Sequence, residues 1–286
     1  MSLLCLTRPA ITLAAVLASS LAAAQPYYDG HSHSDAESAD VRSAGGVEAE
    51  RVFDLSLPNG DHQRALYATP PRPWATIVML PGGAGDVGVE RDGDVRHDDN
   101  FVVRTRSLWV SRGHAVLIPD TIDRANLRGV RSSPQYARLV DGLVVFAHAQ
   151  ARGPVFLLGT SQGSIAAMNG AAHAAPGSVA GVVLTESVSR MGGSHETVFS
   201  ADPQDVTASA LVVANRDDAC DVAPPEDAPR IGAAMTHSRD VQVLWVAGGI
   251  TKSRKACGSL TPHGYFGIET QVVEQISRWM HAHARE

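Results

Sequence analysis

Aromatic and charged residues are scarce in this sequence, and positive charge is not concentrated anywhere. Phe, Trp and Tyr make up 5% of the 286 residues, and Asp, Glu, Lys and Arg together make up 19%. The formal net charge is −6, and the Lys and Arg residues are scattered without a basic run. The composition therefore favours neither a nucleic acid nor an anionic membrane as a partner. Hydrophobic residues, at 44%, are enough for one sizeable core in a single domain.

Long apolar runs are absent beyond the N-terminus. Residues 10–18 form a short apolar stretch after Arg8, and three alanines follow at residues 22–24. This stretch is shorter than the ~20 residues that a membrane span needs. The pattern is typical of a secretory signal peptide that is cleaved near Ala24. We expect residues 1–24 to be removed and the soluble mature protein to be exported to the periplasm or the extracellular medium.

The next segment, residues 25–48, lacks hydrophobic periodicity and is rich in Ser, Asp and Gly. His31 and His33 could belong to a loose metal-binding tail, but no ligand spacing there resembles a closed site. We expect a flexible polar linker, followed by one folded domain at residues 49–286. No metal or cofactor is predicted, and the protein is expected to be a monomer.

Cysteine is also scarce. Of the three cysteines, Cys5 lies within the predicted signal peptide, which leaves Cys220 and Cys257 in the mature chain. In an oxidising compartment, such a pair is more often a disulfide than two free thiols.

The rest of the chain alternates between strand and helix patterns. An opening hairpin is predicted from two strand-like segments that flank a turn sequence, residues 50–57 and 63–69. Short apolar runs without alternation are typical of strands buried on both faces. Six such runs follow the hairpin, at residues 75–81, 114–120, 155–159, 180–186, 210–215 and 241–248. Helical patterns lie between them, at residues 101–113, 133–150, after 161, 225–235 and 267–283. The order predicts an α/β fold in which a mostly parallel, doubly wound sheet of eight strands carries helices on both faces.

The sequence GTSQG at residues 159–163 places Ser161 between two glycines, where a buried strand becomes a helix of small residues. A serine on such a tight turn points its hydroxyl into the crevice at the carboxyl ends of the strands. The amides of the new helix face the same point and could stabilise an oxyanion. A glycine-rich turn with an incidental serine is the competing interpretation, but the strand and helix context favours a nucleophile.

A nucleophilic serine needs a base and a group that orients the base. Asp217, Asp218 and Asp221 follow the strand at 210–215 and compete for the role of acid. Among the 12 histidines, His263 alone lies between the last strand and the last helix, which makes it the candidate base.

These motifs resemble the α/β-hydrolase superfamily, near its dienelactone-hydrolase and small-esterase branch. The resemblance covers the chain from about residue 50 and implies that Ser161 is the nucleophile and His263 the base. The family's pattern of a strand followed by Gly-x-x-Asp implies that Asp218 is the acid, although Asn215 replaces the usual glycine. Asp217 is the alternative acid.

The resemblance also implies an oxyanion hole with two backbone amides. One belongs to Gln162, the residue after the nucleophile. The other lies in the glycine-rich loop after the third strand, at Gly83 or, as an alternative, at Ala84. A phosphate cradle is the competing interpretation of this loop, but the sequence lacks the Gly-Lys-Ser/Thr ending of a P-loop.

The predicted function is that of a serine hydrolase, most simply a carboxylic-ester hydrolase that forms an acyl-enzyme. The segment between the predicted strands at 180–186 and 210–215 is short and shows no convincing helix. We therefore expect little or no cap domain, and a small or extended ester as substrate. The charged loop at 85–100 should border the pocket. The alternatives are a serine peptidase or acyltransferase with the same triad, or a non-catalytic secreted binding protein with this fold.

The triad hypothesis also bears on the two mature cysteines. Cys220 lies two residues after Asp218, and Cys257 lies six residues before His263. If the acid and the base touch, the two cysteines can reach the Cα separation of roughly 4.4–6.8 Å that a disulfide needs. We therefore predict a Cys220–Cys257 disulfide that holds the acid and base loops together.

Overall fold

The computed structural model of the protein describes residues 49–56 and 62–284. The predicted signal peptide and linker lie outside these residues, as does the turn of the opening hairpin. Among the helices of the described ranges, none combines the length and the apolar character that a bilayer crossing requires.

Eight strands form one sheet in the order β1-β2-β4-β3-β5-β6-β7-β8. Their bounds are β1 Ala49–Ser56, β2 His62–Thr69, β3 Ala75–Leu80, β4 His114–Pro119, β5 Val155–Thr160, β6 Gly181–Thr185, β7 Ser209–Asn215 and β8 Val241–Val246. β2 pairs antiparallel with both β1 and β4, and the other pairs are parallel. The predicted doubly wound sheet with an edge hairpin is confirmed.

Helices cover both faces of the sheet and create two apolar layers. The helices are α1 Phe101–Arg104, α2 Arg106–Val110, α3 Pro134–Gln150, α4 Gln162–Ala172, α5 Ala228–Ala234 and α6 Glu269–His283. Side chains of α3, α4 and α5 belong to one buried cluster, and those of α1, α2 and α6 belong to the other. Successive strand residues point to opposite faces, so Val78 lies in the first layer and Met79 in the second. Burial on both faces explains why the central strands carry uninterrupted apolar runs.

Two predicted helices differ from the observed ones. The helix predicted at 101–113 is split at Thr105, whose hydroxyl donates to the carbonyl of Phe101 at 2.6 Å. Such bonds from a threonine to the preceding turn bend a helix. The helix predicted at 225–235 begins as a 3₁₀ turn over Pro225–Asp227 and becomes α-helical only in α5, where Pro229 occupies the first turn that proline tolerates.

β8 also differs from its prediction as a strand buried on both faces. It is the last strand of the sheet, and most of its side chains are half-buried. The segment between β6 and β7 contains only two 3₁₀ turns, Val198–Ser200 and Pro203–Asp205. The sheet therefore has no helical cap at this point, as predicted.

Candidate active site

Ser161 lies on the turn between β5 and α4 in a conformation that few residues adopt. Its φ is 53° and its ψ is −121°, outside the regions that are favourable for a residue with a side chain. The two flanking glycines are required sterically. A Cβ on Gly163 would lie 2.1 Å from the carbonyl oxygen of Leu80, and a Cβ on Gly159 would lie 2.1 Å from that of Gly163. β3, β5 and α4 thus approach one another closely enough to hold the serine in place.

Ser161, His263 and Asp218 form one chain of hydrogen bonds. Nε2 of His263 lies 2.9 Å from Oγ of Ser161, and Nδ1 lies 2.7 Å from Oδ2 of Asp218. The histidine is 3% exposed, and the Asp218 side chain is 0% exposed. With Nδ1 protonated toward Asp218, Nε2 is free to accept the serine proton. The arrangement meets the distance requirement for a nucleophile, a base and an orienting acid.

The three candidate acids occupy different environments. Asp218 contacts the histidine, and its other oxygen accepts from the amide of Cys220 at 2.8 Å. Asp217 instead accepts from the amide of Gly248 at 2.6 Å, and Asp221 is exposed. Of the three, the structure brings Asp218 to the histidine.

The loop that carries His263 is fastened to the end of β7. Nδ2 of Asn215 donates to the carbonyls of Gly248 and Pro262, at 2.9 and 3.0 Å. The amide of His263 donates to the hydroxyl of Thr261 at 3.1 Å. Asn215, at the position of the usual glycine, therefore helps to hold the histidine loop against the acid loop.

The loop after β3 packs against the serine turn. A Cβ on Gly82 would lie 3.2 Å from the Cβ of Ser161, and Gly83 follows with a φ of 61°. Gln162 is the first residue of α4, so its amide is one of the unpaired N–H groups of the helix start. Gly83 and Gln162, the two predicted oxyanion residues, thus lie on the two segments that adjoin Ser161.

Cys220 and Cys257 form a disulfide, with Cα atoms 4.6 Å apart. Because the amide of Cys220 also donates to Asp218, the disulfide connects the acid directly to the loop that leads to His263.

Sequence reasoning missed Glu186, which follows β6 and is 1% exposed. Its Oε1 accepts from the backbone amide of Asn215 at 2.9 Å. One carboxylate oxygen each from Glu186 and Asp218 and a ring nitrogen of His263 lie within 4.8 Å of one another. Burial raises the pKa of Glu186 well above its ordinary value, and the charge of Asp218 raises this pKa further. The available clue was an acidic residue at the carboxyl end of a buried parallel strand.

Two groups of side chains in the described residues have a spacing that could hold a metal ion. One consists of Cys220, Asp221 and Cys257, in which the disulfide uses both sulfur atoms. The other consists of Glu186, Asp218 and His263, in which Asp218 and His263 are bonded to each other. Both groups are therefore engaged within the protein.

Three arginines in or near the charged loop pair with acidic groups of the domain. Arg96 lies 3.1 Å from Glu90. Arg104 lies 2.9 Å from Glu269, and Arg106 lies 2.7 Å from Glu50. The main chain of the loop is fixed by Asp120, which accepts from the amides at residues 87–89. These contacts favour an ion-paired surface over a recognition site for an acidic substrate group.

No protein-family model matches the sequence, and the search of curated proteins found no match. Solved structures share the fold. A dienelactone hydrolase from Anabaena variabilis is similar with a TM-score of 0.56 at 16% identity, over 82% of this chain and 99% of that chain. An esterase from Pyrococcus furiosus has a TM-score of 0.60 at 9% identity, over 87% and 99%. An acylaminoacyl peptidase from Pyrococcus horikoshii has a TM-score of 0.54 at 11% identity, over 84% of this chain and 42% of that chain. The chain therefore has the α/β-hydrolase fold.

Proposed function

We propose that this protein is an exported serine hydrolase that cleaves carboxylic esters. The observation that carries the proposal is the hydrogen-bonded chain from Ser161 through His263 to Asp218, at 2.9 and 2.7 Å. The likeness to esterases and a dienelactone hydrolase supports the same class of reaction.

In the proposed mechanism, Oγ of Ser161 attacks the ester carbonyl carbon while Nε2 of His263 takes its proton. Asp218 holds the imidazole and stabilises the imidazolium. The amides of Gln162 and Gly83 donate to the oxyanion of the tetrahedral intermediate. His263 then gives the proton to the leaving alkoxide, and the acyl group remains on Ser161. Water activated by His263 attacks the acyl-enzyme and releases the acid.

Substrate size is inferred from what surrounds the serine. The segment between β6 and β7 adds only two 3₁₀ turns, which favours a small or extended ester over a substrate that must be enclosed. A serine peptidase or an acyltransferase is the second candidate, because the Pyrococcus horikoshii neighbour is an acylaminoacyl peptidase. The predicted signal peptide supports export, and the Cys220–Cys257 disulfide suits an oxidising compartment.

The test is covalent labelling combined with a substrate panel. A fluorophosphonate probe should add one label per chain, and peptide mapping should place it on Ser161. Replacement of Ser161 by Ala should abolish labelling and reduce ester turnover by a factor on the order of 10⁴ or more, with the melting temperature retained. p-Nitrophenyl esters of increasing acyl length, compared with acylated peptides, separate the esterase from the peptidase. Wild-type turnover in the Ser161→Ala variant would refute the mechanism.

A further inference from the structure

A second buried acid lies beside Asp218 and has no role in the mechanism above. Glu186 comes from the end of β6, whereas Asp218 comes from the loop after β7, and both are less than 10% exposed. One carboxylate oxygen from each lies within 4.8 Å of the other. Two full negative charges at this separation in a buried site repel each other strongly, so one of the two acids should hold a proton.

The hydrogen bonds indicate which acid holds it. Asp218 accepts from His263 on one oxygen and from the amide of Cys220 on the other. Glu186 accepts from the amide of Asn215 on Oε1, but its buried Oε2 has no donor. The hydroxyl of Tyr265 lies beside this carboxyl and lowers the pKa of Glu186, but by less than burial and Asp218 raise it, and it donates to the carbonyl of Val213 at 3.2 Å. A bare carboxylate oxygen at this position would remain unsatisfied, whereas a protonated one could donate to Asp218.

The backbone at Glu186 suggests that its position is functional. Its φ is 44°, in the left-handed region, as is the φ of 57° at Tyr265. Such conformations are unfavourable for residues with a side chain and collect at active sites, where the surroundings impose them.

We propose that Glu186 is a positioning residue whose protonated carboxyl donates to the carboxylate of Asp218, so that the two acids share one proton and present a single negative charge to His263. This inference rests on the proposed function. Within the described residues, the titratable groups that face Glu186 are Asp218 from the loop after β7, and His263 and Tyr265 from the loop before α6. Burial raises the pKa of Tyr265 well above its ordinary value, so this hydroxyl stays neutral.

The direct test is infrared spectroscopy of the full-length mature protein and its Glu186→Gln variant. The amide of glutamine can still accept from Asn215 and donate to Asp218, so the fold should persist, but it cannot release a proton. The wild-type minus Glu186→Gln difference spectrum at pH 7 should contain the carbonyl band of a protonated carboxyl. The matched control is Glu196→Gln, because Glu196 is also buried but accepts from two amides and a hydroxyl, and its difference spectrum should contain carboxylate bands. Carboxylate bands for Glu186 would overturn the proposal.

Kinetics give a second test that a purely structural role would not satisfy. If Glu186 is neutral, Glu186→Gln replaces a strong hydrogen-bond donor to Asp218 with a weaker one. Asp218 then becomes more basic and holds the proton of His263 more tightly, so the acidic limb of the pH profile of kcat/KM should move to higher pH. If Glu186 were ionised, the variant would remove a negative charge near His263, and the limb would move to lower pH. In an Asp218→Asn background the carboxylate through which Glu186 acts is absent, so Glu186→Gln should no longer move the acidic limb of the pH profile to higher pH there.

An equal upward shift in both backgrounds, or a downward shift when Glu186→Gln is the only change, would overturn the proposal. The proposed function would fail differently, because then the wild type itself would neither hydrolyse esters nor accept the fluorophosphonate label. The infrared result needs no activity, and it therefore separates the two failures.

Discussion

Three residues with a positive φ lie in or beside the chain of hydrogen bonds from Ser161 to Asp218. Ser161, Glu186 and Tyr265 have φ values of 53°, 44° and 57°, and each is contributed by a different segment. Ser161 follows β5, Glu186 follows β6, and Tyr265 precedes α6. Because strain of this kind persists only where packing imposes it, the site depends on the rigid ends of the parallel strands.

Gly163 shows how little space the serine turn allows. A Cβ at this position would meet the carbonyl of Leu80 at 2.1 Å, and backbone cannot move aside as a flexible side chain can. Gly163→Ala should therefore lower the free energy of unfolding by more than about 2 kcal/mol and reduce fluorophosphonate labelling. Thermal unfolding and labelling rates measure the two effects.

The control is Gly142→Ala in the interior of α3, where a Cβ would meet nothing within 4 Å. Alanine at this exposed position of the helix should stabilise the domain by roughly 0.5–1 kcal/mol. A melting temperature that falls equally in both variants would show that crowding at the serine turn is not the cause.

Asp217 and Asp218 are adjacent in sequence, yet they should respond differently to the same substitution. Asp218→Asn removes the negative charge beside His263 and should reduce kcat/KM by at least about 100-fold. Asp217→Asn keeps an oxygen that can accept from Gly248, so turnover should change by no more than about threefold. Ester turnover at saturating and limiting substrate measures both effects, and the reverse ranking would contradict the assignment of the acid.

At the scale of elements, the site joins the loop after β7 to the loop before α6. Asn215, the His263–Asp218 bond and the Cys220–Cys257 disulfide all cross this junction. The disulfide closes a loop with a sequence separation of 37, which is worth about 3–4 kcal/mol in the chain-entropy model.

Reduction of the disulfide, or the double change Cys220→Ser with Cys257→Ser, should therefore lower the melting temperature and also kcat. Ser161 should remain intact and still accept the fluorophosphonate label, but more slowly, because the amide of residue 220 no longer holds Asp218 firmly. Non-reducing peptide mapping of protein purified without reductant should find a single Cys220–Cys257 peptide. Two alkylatable thiols in that protein would contradict the Cys220–Cys257 disulfide.

The sequence reveals elements whose cause is local and misses features that depend on the assembled sheet. The strands β3, β5 and β7 could be predicted because burial on both faces requires uninterrupted apolar residues. The serine turn could be predicted because its two glycines lie only two positions from Ser161 in the sequence. The break at Thr105 depends on one side-chain bond to Phe101. Glu186 was missed because its neighbour Asp218 is 32 positions away and meets it only across β6 and β7.

At the scale of the whole molecule, a buried histidine joins the hairpin side of the sheet to the last helix. His114 begins β4, is 0% exposed, and lies with Nε2 2.7 Å from the hydroxyl of Ser277 on α6. Its Nδ1 has no partner, and the ring of Trp74 lies 4.6 Å away. Burial, followed by the charges of His281 and Arg112, lowers the pKa of His114 from 6.5 to about 3.

This burial makes the stability of the domain depend on pH. Between pH 6.5 and about 3, His114 is protonated in the unfolded chain but neutral in the folded one. The unfolded state then binds the extra proton, so the free energy of unfolding should fall as the pH is lowered, by up to about 1.4 kcal/mol per pH unit from this group. Glu186 acts in the opposite direction, because its raised pKa makes the folded state bind a proton that the unfolded chain releases.

Replacement of His114 isolates its contribution from that of the carboxyl groups. His114→Gln retains a polar contact for Ser277 but cannot titrate, so its free energy of unfolding should vary less between pH 7 and 4 than that of the wild type. This should hold even if the variant is less stable at pH 7. His62→Gln, at an exposed position on β2, should keep the wild-type slope. Denaturant unfolding at each pH measures the slope, and equal slopes in the His114→Gln variant and the wild type would show that His114 is not the group that links the folding of this domain to acid.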